Sequence, residues 1–83
     1  MKRKMIKIED FEVHELAVRE MLPIMKIMGE DTEEGQMHLL GAAVKINGEP
    51  IGVENVEELG MSSYMKLVTA VAELNGLDAS GND

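Results

Sequence analysis

The chain has no cysteine and no tryptophan, only two prolines, and only two aromatic residues, Phe11 and Tyr64. Without cysteine there can be no disulfide, no thiolate nucleophile, no cysteine-ligated zinc and no iron-sulfur cluster. A secreted protein of 83 residues would need such staples, so the composition points to a reducing cytoplasm. No apolar run approaches the ~18 residues that read as a membrane span, and Met1-Lys-Arg-Lys-Met-Ile leads into no signal-peptide apolar region. Cations are scarce too: eight Lys+Arg face sixteen Asp+Glu, a net charge of −8. That charge repels nucleic acid and anionic membrane, so protein partners are expected instead, with Lys2, Arg3, Lys4 and Lys7 the one basic cluster.

The chain is too short for most catalytic folds. A domain of this size buries about 60–65% of its unfolded surface, which leaves little room for a deep active-site cavity beside a full core. The apolar 45% is almost wholly aliphatic and includes eight methionines. Thioether side chains are flexible, and they suit both irregular cores and surfaces that must accept several shapes.

Near the N-terminus Met5, Ile6 and Ile8 alternate loosely with cations. After Glu9-Asp10, Phe11 and Val13 alternate with Glu12, and the pattern reaches Leu16 after one irregular step. This predicts a short hairpin or strand. From Val18 the period changes. Val18, Met21, Leu22, Met25 and Met28 fall at helical spacing, and Ile24 and Ile27 widen the stripe. Pro23 lies within this helix, where it costs a backbone hydrogen bond unless the helix starts near Leu22, and Gly29 is the expected stop.

Asp31 precedes Glu34 by three residues in a capping pattern, so a second helix is expected there. Its apolar positions are Met37, Leu40 and Val44, flanked by Leu39, Ala43 and Ile46, with Asn47-Gly48 as its left-handed stop. Gly35 and Gly41 weaken such a helix by up to ~1 kcal/mol each relative to alanine. The turn formers of Asn47-Gly-Glu-Pro-Ile-Gly52 lead to one or two helical turns over 53–59, ended by Gly60. Ser62 or Ser63 then caps a last helix through Tyr64, Leu67, Val68, Val71 and Leu74 to Asn75-Gly76. Residues 77–83 have no periodicity and read as a disordered tail. The expectation is one α+β domain over 1–76, mainly α: a β-hairpin or strand followed by three to four short helices.

None of the chemistry-bearing groups forms a catalytic pattern. His14-Glu15 resembles part of a metalloprotease helix, but position 18 is Val and His38 is remote, so no metal site is expected. Glu9-Asp10, Glu33-Glu34 and Glu57-Glu58 read as solvated faces or helix-start charge. Gly48, Gly52 and Gly60 lack a phosphate-loop setting. Leu59-Gly60-Met61-Ser62-Ser63-Tyr64 is similar to the modification site of an acyl carrier protein, but the Asp before the serine and the Leu after it are both missing. No catalytic, cofactor-binding or metal residue is assigned. The apolar helix stripe is wider than a small core needs, which makes Met21, Ile24, Met25, Ile27 and Met28 the candidate partner-binding residues.

Taken together, Val13-His-Glu-Leu-Ala-Val-Arg-Glu20, Leu22-Pro-Ile-Met-Lys26, Glu30-Asp31, Leu39-Leu40, Asn47-Gly-Glu-Pro-Ile-Gly52, Glu57-Glu-Leu-Gly60, Tyr64-Met-Lys-Leu67 and Glu73-Leu-Asn-Gly-Leu77 resemble the small acidic tail assembly chaperones of tailed phages and prophages. The resemblance covers about residues 5–77. It implies a non-enzymatic chaperone that self-associates as a homo-oligomer, binds and solubilises the tape measure protein, and helps recruit tail tube protein. In many relatives a frameshifted longer product contacts the tube protein. The resemblance also implies action in the bacterial host cytoplasm and absence from the mature virion. The alternatives are an acyl-carrier-like protein and a small acidic adaptor or antitoxin.

Overall fold

The computed structural model describes residues 3–77. Its elements are β1 (Met5–Ile8), β2 (Phe11–His14), α1 (Val18–Glu30), α2 (Thr32–Ala43), β3 (Val44–Ile46), β4 (Glu49–Pro50), α3 (Gly52–Glu57) and α4 (Met61–Leu74). This is the expected α+β, mainly α, class. The strands form one antiparallel sheet in the order β1-β2-β3-β4.

In the first hairpin Ile6 pairs with Val13 and Ile8 with Phe11, and the ladder continues from Val13 to Val44. With a strand period of two, these residues share one face of the sheet, and Val13 and Val44 are fully buried beneath it. The opposite face carries Lys7, Glu12, His14 and Lys45. Glu9 turns the hairpin with a left-handed φ of 56°, which is costly for a residue with a β-carbon. Its carboxylate holds the turn down on α4, accepting hydrogen bonds from Ser63 Oγ at 2.9 Å and Lys66 Nζ at 3.3 Å.

Two expectations fail in instructive ways. The second helix does not run to Asn47-Gly48. It ends at Ala43, and Val44–Ile46 becomes a strand between β2 and β4. Asn47 and Gly48 have φ of 54° and 82°, the consecutive left-handed pair of a two-residue hairpin turn. Asn-Gly signals a positive φ in either setting, and here the pairing of Val44 with Val13 determines which one forms. Nor do Ser62 and Ser63 cap α4. Gly60 is the N-cap and no side chain caps the helix, while the Ser63 hydroxyl serves Glu9.

α1 starts on half a capping box: the Glu20 carboxylate accepts the Ala17 N–H at 2.8 Å, and Ala17 has no side-chain oxygen to return the bond. The helix carries Pro23 in its interior and passes Gly29 to reach Glu30. One residue, Asp31, then serves as C-cap of α1 and N-cap of α2, its carboxylate accepting the Glu34 N–H at 3.2 Å. So sharp a reversal brings the backbones of α1 and α2 together at Gly35, and Gly41 is where α2 meets the start of α3. A β-carbon on Gly35 would sit 2.5 Å from Met28 Cα, and one on Gly41 would sit 2.9 Å from the Gly52 carbonyl carbon. These glycines permit close packing, a tertiary role that outweighs their helix-weakening tendency.

α4 supplies the floor of the core with Leu67, Ala70 and Val71, and Leu40, Ala43 and Val56 close it from α2 and α3. Full burial of Leu40 or Leu67 contributes about 2–3 kcal/mol each. The end of α4 is a Schellman turn: Leu77 N–H donates to Ala72 O at 2.7 Å and Gly76 N–H to Glu73 O at 3.3 Å, with Gly76 at φ 71°. Leu77 packs against the core, so the ordered domain includes it. The rest of the segment expected to be disordered lies outside the described residues.

Candidate interaction surface

Of the five residues singled out on α1, Met21 and Ile24 are buried, Ile27 and Met28 are half-buried with Met28 packed on the core, and Met25 is exposed. Val18 is 73% exposed, Leu22 58% and Met25 49%. At spacings of four and three residues these three lie side by side. The helix therefore presents two apolar stripes: Met21, Ile24 and Met28 turned inward, and Val18, Leu22 and Met25 turned out. Sequence spacing locates the combined band but not the core within it, because the helix rotation is set by the Gly35 approach to Met28.

The outer stripe spans roughly 10 Å along the helix axis at 1.5 Å per residue. Arg3 flanks the start of α1. Its guanidinium donates to the Glu20 carboxylate at 2.9 Å. That carboxyl is held below the ordinary carboxylate range first by the Ala17 N–H, which outweighs the opposing effect of desolvation, and then by the cations Arg3 and Arg19. The site is thus apolar along its length and charged at its N-terminal end.

A second apolar area was not anticipated. Met61 and Met65 are exposed at the start of α4 and border a groove with Met37, Val56, Leu59 and Tyr64. The Tyr64 hydroxyl donates to Gln36 Oε1 at 3.1 Å across this groove. The available signal was helical phase: Met61 and Met65 lie off the Tyr64-Leu67-Val71 stripe that faces the core. Met65 also borders a neighbouring groove under β1 with Ile6 and Ile8.

The histidines are engaged locally. His14 Nε2 lies 3.2 Å from Glu12 Oε1, and His38 Nε2 lies 3.1 Å from Glu34 Oε2 one helical turn away. Among the described residues no group of three His, Asp or Glu side chains is placed to hold a metal ion. Ser62 is exposed on the first turn of α4. Among the described residues no helix is long and apolar enough to cross a membrane. Comparison with known protein families, with curated proteins and with solved structures returns no match for the chain.

Proposed function

We propose that the protein is a non-enzymatic assembly chaperone of the tailed-phage kind, which self-associates, binds and solubilises a tape measure protein in the host cytoplasm, and helps recruit tail tube subunits without remaining in the virion. The observation that carries this reading is the outward stripe Val18, Leu22 and Met25, lying beside a second stripe that already serves the core. Exposed apolar side chains that the fold does not use are available for association. A tape measure protein is a long helical client whose apolar face needs a reversible cover, and exposed methionines at positions 25, 61 and 65 can repack against varied side chains. The net charge of −8 keeps a loaded complex soluble. The resemblance to tail assembly chaperones names the client.

The test is co-expression with the tape measure protein of the same locus, followed by size exclusion with light scattering on the complex and on the free protein. Soluble co-elution, with the tape measure protein insoluble on its own, supports the reading. A strictly monomeric protein that leaves the tape measure protein in the pellet overturns it.

A further inference from the structure

The sheet has two outer strands, and they differ in kind. β4 is two residues long and ends in Pro50, which has no N–H to offer, so that edge is blunted. β1 is four residues long and, among the described residues, has no strand beyond it. Its register sets which backbone groups are free. Glu15 N–H donates to Lys4 O, and Ile6 and Ile8 stand opposite Val13 and Phe11. With bonding alternating along an antiparallel pair, the N–H and C=O of Met5 and Lys7 point away from the sheet.

Beneath this edge Ile6 and Ile8 overhang α4, where Met65, Thr69 and Ala70 complete an apolar groove with Lys66 and Glu73 also lining it. Above it stands Lys7. The first seven residues contain four cations and no acid, whereas the remainder contains four cations and sixteen acids. Lys66 is engaged by Glu9 and Arg3 by Glu20. Among the described residues Lys4 and Lys7 form no ion pair, and Glu12 opposite Lys7 is turned to His14.

We infer that the free edge of β1 is a docking site for an extended segment of a partner protein in which acidic and apolar residues alternate. Such a segment adds a fifth strand through the Met5 and Lys7 backbone groups. Its acidic side chains face Lys7, and its apolar ones enter the groove at Ile6, Met65 and Ala70. A second copy of this chain is the wrong occupant, because β1 against β1 brings together two segments that each carry four cations and no acid in residues 1–7, and the β4 edge lacks a donor at Pro50. The inference is independent of the chaperone reading.

The test uses isotopically labelled full-length protein and two short capped peptides, one alternating Glu with Val and the other Lys with Val. The Glu peptide is expected to shift the Met5 and Lys7 amide resonances and slow their exchange, and the Lys peptide to bind on the order of tenfold more weakly. Lys7→Glu reverses that preference. Met5→Pro abolishes binding while circular dichroism is retained, since the N–H it removes points away from β2; if that variant unfolds, the Lys7→Glu reversal still decides. Equal binding of both peptides, no shift on β1, or protection of the Met5 and Lys7 amides by raised protein concentration alone overturns the inference.

Discussion

Gly35 in α2 lies so close to Met28 in α1 that a β-carbon at position 35 would sit 2.5 Å from the Met28 Cα and 2.6 Å from its N. The obstructing atoms are backbone, so no rotamer change relieves the contact. Gly29, six residues earlier, has nothing within 4 Å of its would-be β-carbon. Helix propensity favours alanine at both positions by up to ~1 kcal/mol, and the structure reverses the sign at only one. Gly35→Ala should destabilise the protein by about 2 kcal/mol or more, whereas Gly29→Ala should be neutral or stabilising. Urea midpoints of the two variants decide, and a stable Gly35→Ala protein would contradict the packing of α1 on α2.

Asn75 ties the end of α4 to the exit of β2. Its Oδ1 accepts the Leu16 N–H at 2.7 Å, and its Nδ2 donates to Val71 O at 3.0 Å and His14 O at 3.4 Å. Asn75→Ala leaves the half-buried Leu16 N–H without its partner and should cost about 1–3 kcal/mol. Asn75→Asp retains the acceptor and should cost less. Equal losses in thermal unfolding would mean that the donor bonds, rather than the Leu16 bond, dominate.

Acid sensitivity should come from two exposed carboxylates. Glu9 is held below its ordinary value chiefly by the Ser63 hydroxyl and then by Lys66, and Glu20 chiefly by the Ala17 N–H. A carboxyl whose folded value is depressed contributes stability above its unfolded value and loses it as pH falls through the folded one. The protein should therefore weaken from the ordinary carboxylate range downwards, and the double variant Glu9→Gln with Glu20→Gln should flatten the dependence. Urea midpoints between neutral and acidic pH provide the check.

The two stripes of α1 should separate under mutation. Leu22→Glu with Met25→Glu alters exposed positions and should change stability by no more than about 0.5 kcal/mol per site, while abolishing self-association and client binding. Met21→Ala creates a cavity and should cost about 2–5 kcal/mol. Light scattering and thermal melts on both variants distinguish the roles. An unchanged oligomeric state in the double variant would remove Leu22 and Met25 from the interface.

Much of the architecture was legible in local pattern. The turn at Glu9-Asp10, the Asp31 cap and the Asn75-Gly76 stop follow from residue types at fixed offsets, and the structure has all three. The strand at Val44–Ile46 was hidden because Val44 and Ile46 extend the spacing of Leu40 and Ala43. Only a partner strand distinguishes that spacing from the alternation of Val44-Lys-Ile46. The candidate surface was half legible: an overwide apolar band on α1 implies that some of it is left over, but spacing cannot say which part.

The sequence by itself determined the class of the protein: small, acidic, free of cysteine chemistry, helical in majority and richer in flexible apolar side chains than one core requires. Those properties are sums over residues or repeats along the chain, so neighbours in sequence suffice to set them. Tertiary structure decided the rotation of α1, the strand identity of Val44–Ile46, the packing role of Gly35 and the exposure of the β1 edge. Each depends on an approach between segments distant in the chain, such as Met28 to Gly35 across a reversal or Val13 to Val44 across two helices, and it is that approach which selects among locally equivalent conformations.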